Sequence, residues 1–505
     1  MVITGGGFAI ILSIAAILWV IVAETYTLWK SPSAEWAGPP SQLKELASAT
    51  SHTEVLALGI DEYREIAYTI TGSGVVDFRS LPDQRPLQRH VIRALEGHSI
   101  TSIDYQNLSH SAAIGTAAGV VVPIKISFPI TYEGKIRVST PQVIEGAPVV
   151  LDPDRGAITD LSYQYFDDEE EQMTVTGVLE ERTLVFLQQK TTASFLGDPE
   201  TSQTRIELPS DLGAGVSSLA MDPEQRNIFV ALKNGEVLHW DIREPNAPLP
   251  LSQLRRAGRP AVRAMEWLIG GRSLVMGDDS GGLSVWFQVR DKVDPAKLPF
   301  REIHIMPKHQ AAITAISASP RNKGFISGDS RGIIRVNYST TETVNVSLTT
   351  TESPITYLAY APRTDGMLAL NQQAVLYNWY IHDPHPEITL SSLFNKVWYE
   401  GYDGPDLTWQ SRSGTDDFEP KFSLTPLAYG TLKGTFYALL LAIPVSLCAA
   451  LYTSQFMHPR LRGGVKPSIE AMAALPSVGL GFFAGLWLAP LVADMVPALL
   501  LMLIA

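Results

Sequence analysis

At 505 residues the chain is too long for a single core, since domains cluster near about 100 to 150 residues and divide beyond about 250 to 300. Its 39 basic and 52 acidic residues leave a formal charge of −13 with no basic stripe, which speaks against a nucleic-acid partner. The only cysteine, Cys448, sits in an apolar run and excludes an internal disulfide, a CxxC redox pair and a cysteine-built zinc site.

Residues 1–29 hold the first of three uncharged stretches long enough for the roughly 20 residues a membrane helix needs. It lies between Met1 and Glu24 and reads as an uncleaved transmembrane helix. A cleaved signal peptide is the alternative, disfavoured by the missing basic n-region and by Ile21 at a position that asks for a small residue. Residues 30–51 read as a linker.

From residue 52 to residue 385 one unit recurs: an alternating apolar strand, a turn, a second strand, a Gly/Asp/Asn/Ser hairpin and a third strand closed by an aromatic. Residues 216–242, 262–287 and 313–338 are the clearest copies. Residues 55–78, 101–126, 158–187 and 355–381 are weaker ones, making seven. Asn234-Gly235 and Ser280-Gly281 supply the positive φ that tight hairpins demand. Spacings of this size bracket a four-stranded propeller blade. Trp240-Asp241, Trp286 and Gly97-His98 resemble the marks of WD40 repeats. The expectation is an all-β, seven-bladed propeller over 52–385, with a β-sandwich pair as the alternative.

Nothing in this region pairs a nucleophile with a base. His239, His304, His309, His382 and His385 follow neither HxxxH nor HExxH spacing and read as structural or surface residues. The acidic run from Asp167 to Glu171 lies between two strand patterns and reads as a solvated hairpin loop rather than a cation site. A non-enzymatic binding module is the economical inference.

Residues 386–423 read as a second linker. A membrane domain then fills 424–505, with helices expected near 434–457 and 471–493 and the start of another at 495–505. The chain stops inside that last apolar run, at Ala505, as a C-terminal truncation would leave it. Between the two full spans, SQFMHPRLRGGVKPS carries Arg460, Arg462 and Lys466 and no acid, so this loop is placed in the cytoplasm. The 52–385 domain then lies outside, in the periplasm of a bacterial inner membrane.

The membrane residues carry a pattern: Gly430, Thr431 and Leu432 at helix entry, Ala442, Pro444, Val445 and Ser446 within it, then Ile469, Glu470, Ala473, Ala474, Pro476, Ser477, Gly481 and Leu488-Ala489-Pro490. In order and spacing this stretch of about 70 residues resembles the permeases of the phosphate-specific (Pst-type) ABC transporters, in a long form with a large periplasmic insertion. The resemblance implies a channel-forming subunit that works with a second homologous permease, cytoplasmic ATPase subunits and a periplasmic phosphate-binding protein, embedded in lipid. No Walker A motif occurs, so ATP would be bound by the partner subunit and this chain would hold no cofactor or metal.

Thr431, Thr435, Ser446, Glu470 and Ser477 are the candidate transport-path residues. Each has a plainer reading. Hydroxyls in membrane helices bond to backbone, and Glu470 suits a helix start. Pro444 and Pro476 can act as simple kinks, and Gly479, Gly481 and Gly485 as close-packing contacts.

Overall fold

The computed structural model describes the chain apart from residues 1, 27, 29, 44–53, 168–169, 193–199, 252, 256, 296, 416–417, 474–476, 494 and 496–505. Two units divide it, residues 1–426 and residues 427–505.

The first unit opens with helix α1 (Val2–Tyr26), whose described side chains from Leu12 onward are exposed. After it come seven antiparallel sheets, the blades of a β-propeller: residues 55–91 (one), 100–145 (two), 158–208 (three), 216–250 (four), 262–305 (five), 313–349 (six) and 355–382 (seven). The innermost strands touch those of the neighbouring blades around the ring.

Seven apolar clusters hold the ring together, and each lies between two neighbouring blades. Period 2 explains this arrangement, because successive side chains point to opposite faces of a strand. In blade two Ala112 and Ile114 pack toward blade one, while Ala113 packs toward blade three. In blade four Ile228 and Val230 face blade three, while Phe229 and Ala231 face blade five. Both faces are covered, so the middle strands are continuously apolar. Such a ring of cores excludes the two-sheet sandwich.

Two local devices repeat with the blades. The first strand of every blade carries a bulge at its start, as between Val55 and Ala57, Ile158 and Asp160, or Ile355 and Tyr357. In three blades a second-strand glycine leaves room for an isoleucine of the next blade: a Cβ on Gly115, Gly277 or Gly328 would come within 3.0 Å of Ile158, Ile313 or Ile355.

The last blade borrows its outer strand from the start of the chain. Ser33–Trp36 pairs antiparallel with Val375–His382, Ser33 opposite His382 and Trp36 opposite Trp379, and Ser41–Gln42 continues the edge. Leu43 follows into the core between blades seven and one. Residues 33–43 therefore belong to the propeller and correct the expected linker over 30–51. Their brevity and Pro39-Pro40 disguised them as loop. Across the same seam Arg64 donates to the carbonyls of Asp365 (2.9 Å) and Trp379 (3.0 Å) and to Asn378 Oδ1 (2.9 Å).

The second expected linker, 386–423, is likewise folded. Helix α2 (Leu390–Phe394) is closed by a capping box between Thr389 and Ser392. Val397 and Asp406 bridge, and Trp409–Gln410 pairs with Lys421–Phe422. Tyr399, Glu419, Lys421 and Ser423 are buried. This strap runs from blade seven back over blades five and six, where the Trp398 carbonyl accepts from His304 Nε2 at 3.0 Å and the Trp398 ring meets Phe287.

In the second unit, helix α3 (Thr425–Leu451) starts at the unit boundary and passes through Pro444 without stopping, then ends in a wider turn at Tyr452–Phe456. The expected basic loop is mostly helix α4 (Pro459–Ala473), with Arg460, Arg462 and Lys466 on it. Only Met457 and His458 lie outside helix here, with a bend at Met457. Helices α5 (Ser477–Phe483) and α6 (Ala489–Ala493) flank another wide turn at Ala484–Leu488. Among the described residues one helix, Thr425–Phe456, is long and apolar enough to cross a membrane; Leu12–Tyr26 and Leu480–Ala493 are shorter apolar stretches.

Candidate functional site

The candidate path residues of the second unit lie on separate stretches of helix. Thr431 and Thr435, one turn apart on α3, donate to the carbonyls of Leu427 and Thr431, each at 2.8 Å. Ser446 donates to Ile443 O at 2.9 Å. These hydroxyls thus spend their protons on their own helix, as the plainer reading anticipated. Glu470 is exposed near the end of α4, and Ser477 begins α5. No Cβ added to Gly430 or Gly481 would meet another atom within 4 Å. Pro476 lies outside the described residues.

On the propeller a recess of about 970 Å³ lies between blades four and five. It exists because the outer strand of blade four is cut to Leu249–Pro250, where blade three has nine residues and blade five has six. His239 forms part of its floor, stacked on Phe229 at 4.4 Å and edge-on to Phe300. Its Nε2 meets Asn227 Oδ1 at 2.9 Å, and Asn227 is itself held by Asp222. Burial pushes His239 down to about 4, so it is a neutral ring at neutral pH. The rim is charged but internally paired, Arg226 with Glu224 and Arg243 with Asp241. Exposed Leu251 and Leu298 border it.

Three carboxyls stand on innermost strands and so along the propeller axis: Asp104 of blade two, Asp160 of blade three and Glu266 of blade five. Burial pushes them up to about 6, 7 and 8 respectively, and the negative charge of Asp104 adds to the rise in the other two. Asp104 keeps the lowest value because it accepts from Tyr163 N at 2.7 Å and from Ser162. Sequence patterning missed these residues, since an acid at alternating strand positions looks like a solvent-facing one. No group of three His, Cys, Asp or Glu side chains among the described residues is placed to hold a metal ion.

Of the other histidines, His309 is built into the scaffold, whereas His382 is exposed. His309 Nδ1 meets Asp329 Oδ2 at 3.0 Å and Nε2 meets Ser327 Oγ at 2.9 Å, while Asn337 Nδ2 also donates to Ser327. Asn337 stands where blades four and five have Trp240 and Trp286. His98, the histidine of the Gly97-His98 mark, is exposed instead. The acidic run does form a hairpin end, with Asp167 opposite Glu171; Asp168 and Glu169 lie outside the described residues.

No family model matches the chain, and no curated protein matches it. Among solved structures, the Cps50 (Swd1) β-propeller domain of Myceliophteria thermophila is similar at 11% identity and TM-score 0.45, over 69% of this chain and 100% of that one. The computationally designed Ika8 protein is similar at 17% identity and TM-score 0.41, over 65% of this chain and 96% of that one. Raptor of Chaetomium thermophilum is similar at 14% identity and TM-score 0.46, over 65% of this chain and 28% of that one. The propeller assignment rests on the seven sheets themselves.

Proposed function

We propose that this chain is the channel-forming subunit of an ATP-driven phosphate importer in a bacterial inner membrane, with its propeller held on the periplasmic side as a docking or regulatory module. The observation that carries the reading is the 32-residue helix Thr425–Phe456, on which Gly430, Thr431, Pro444 and Ser446 of the permease-like pattern fall. Its apolar side chains are exposed along its length, as lipid contact or packing against a second permease would require. At 1.5 Å per residue it is about 48 Å long, more than the roughly 30 Å hydrocarbon layer. Multi-pass insertion, with α1 and the helices after Pro459 as further spans, is part of the same proposal.

ATP hydrolysis belongs to separate ATPase subunits, and a periplasmic phosphate-binding protein delivers the substrate. Direct phosphate contact by Thr431 or Thr435 requires their hydroxyl protons to leave the helix carbonyls they now serve. The recess between blades four and five is the propeller's best docking face for the binding protein. The deciding experiment is complementation: the gene restores phosphate uptake to a permease-deficient strain, and failure to do so with the protein inserted overturns the reading.

A second reading, a membrane-anchored propeller scaffold or sensor without transport, is favoured by the share of the chain that the propeller and strap occupy. It expects an envelope phenotype on deletion with phosphate uptake unchanged.

A further inference from the structure

Beside the Trp398 contacts, two carboxyl groups, half-buried Glu400 and buried Glu419, tie the strap over residues 386–423 to the propeller. Glu400 meets Lys323 Nζ of blade six at 2.6 Å and accepts from Ser273 Oγ of blade five. Lys323 is 3% exposed and also donates to Ile269 O at 2.6 Å. The second carboxyl, Glu419, accepts from Tyr338 Oη at 3.2 Å and from Thr340 Oγ1 at 2.5 Å, both on blade six. Beneath it is a cavity of about 150 Å³, lined by Ile269, Lys323, Tyr338, Glu387 and Phe418 among others.

Among the described residues, charged and titratable groups face Glu419 from both the propeller and the strap. From the propeller come Lys323, Tyr338 and Arg321, whose guanidinium donates to Pro362 O. From the strap come Glu400, Glu387, Tyr399 and Lys421. Lys323 is engaged by Glu400. Lys421 lies over the rings of Phe418, Tyr399 and Tyr402 and donates to Gln410 Oε1. Lys421 Nζ also donates to the Glu419 backbone carbonyl at 3.4 Å, but among the described residues no cation pairs with the Glu419 carboxyl, and Glu400 is the like charge that raises it.

We propose that the strap is a proton-sensitive latch: with Glu419 protonated it stays closed on blades five and six, and loss of that proton loosens it. A neutral Glu419 satisfies the two hydroxyls through one oxygen and costs little to bury. An ionised Glu419 has to be hydrated, and the cavity beneath it gives water a way in when the strap lifts.

Burial is the main cause that raises Glu419 from 4.5 to about 7. In the lifted strap it returns to the ordinary carboxyl value. The closed strap therefore binds the proton more tightly, and closure is favoured fully below about pH 4.5. That advantage declines as pH rises toward 7 and is gone above it. The opening constant should rise about tenfold per pH unit across that window, an overall change on the order of 100-fold between pH 5 and 7.

Amide hydrogen exchange of the full chain in detergent, read on peptides from 396–423 at pH 5 to 8 and divided by the intrinsic exchange rate, tests this. The wild-type strap is expected to show that rise and then a plateau, while peptides from the second strand of blade four (Asn227–Leu232), which carries no titratable side chain, do not. Glu419→Gln, which keeps an acceptor for Tyr338 and Thr340 without a proton to lose, is expected to flatten the profile. Glu400→Gln breaks the ion pair with Lys323 and is expected to raise opening at every pH while the slope persists. A pH-independent wild-type strap, or an unchanged slope in Glu419→Gln, overturns the proposal.

Discussion

At the scale of single residues, one turn shows how closely backbone geometry dictates identity. Asp278, Asp329 and Asn371 end the second strands of blades five, six and seven, and each side chain accepts the amides two and four residues on. Three residues past each comes a positive φ, met by Gly281, Gly332 and Ala374. A Cβ on Gly281 would lie 2.5 Å from His309 O, and one on Gly332 would lie 2.3 Å from Thr351 O. Gly332→Ala is thus expected to cost more than the roughly 1–2 kcal/mol of left-handed strain alone, whereas Ala374→Gly should be neutral or stabilising by up to about 1 kcal/mol. Chemical denaturation of the two variants measures the contrast.

The axial carboxyls supply a second prediction at this scale. Glu266 is raised from 4.5 to about 8 by burial, so the folded state holds a proton that the unfolded chain has released. Its contribution is complete below about pH 4.5 and is lost as pH climbs through 8, which makes the propeller less stable in alkali. Glu266→Gln is expected to raise the melting temperature at pH 8.5 by a few degrees and to leave it little changed at pH 5. Equal shifts at both pH values would assign the effect to packing.

At the scale of elements, the blades were legible and their fastenings were not. Alternation recurs seven times, with hairpin glycines and closing aromatics in most copies, so both strand positions and blade count could be read directly. Residues 33–43 and 386–423 lack that period because each is used once, to close a ring or to tie a strap, and a unique element leaves no internal copy to compare. Leu43 tests the closure: buried between blades seven and one, its replacement by Ala should cost about 2–5 kcal/mol, a penalty expected of a core residue and not of a linker. The axial acids were hidden for a related reason. Period 2 reports which side of a strand a residue takes, but only the closed ring turns that side into a narrow interior. The candidate path residues of the second unit were read from a motif, and the structure gives their helical positions without bringing them into one constellation.

At the scale of the molecule, the permease reading fixes an orientation. On that reading, Arg460, Arg462 and Lys466 of α4 would put the segment after Phe456 in the cytoplasm and the propeller outside. Protease added to spheroplasts is therefore expected to cut the strap or propeller before any cell lysis, and cysteine labels placed at exposed Leu251 should react with an impermeant reagent. Protection of both until lysis would invert the topology.

Borrowing an outer strand from residues 33–36 also sets a timetable for biogenesis. The strand leaves the ribosome before blade one, yet its partner, Val375–His382, is made more than 300 residues later. At about 5–20 residues per second, tens of seconds pass in which the earlier blades can assemble while the ring stays open. Closure is the contact of greatest sequence separation, so it comes late and slowly. During that interval the Ser33–Trp36 strand has no partner and can be captured by another chain, and only the arrival of Val375–His382 ends that exposure.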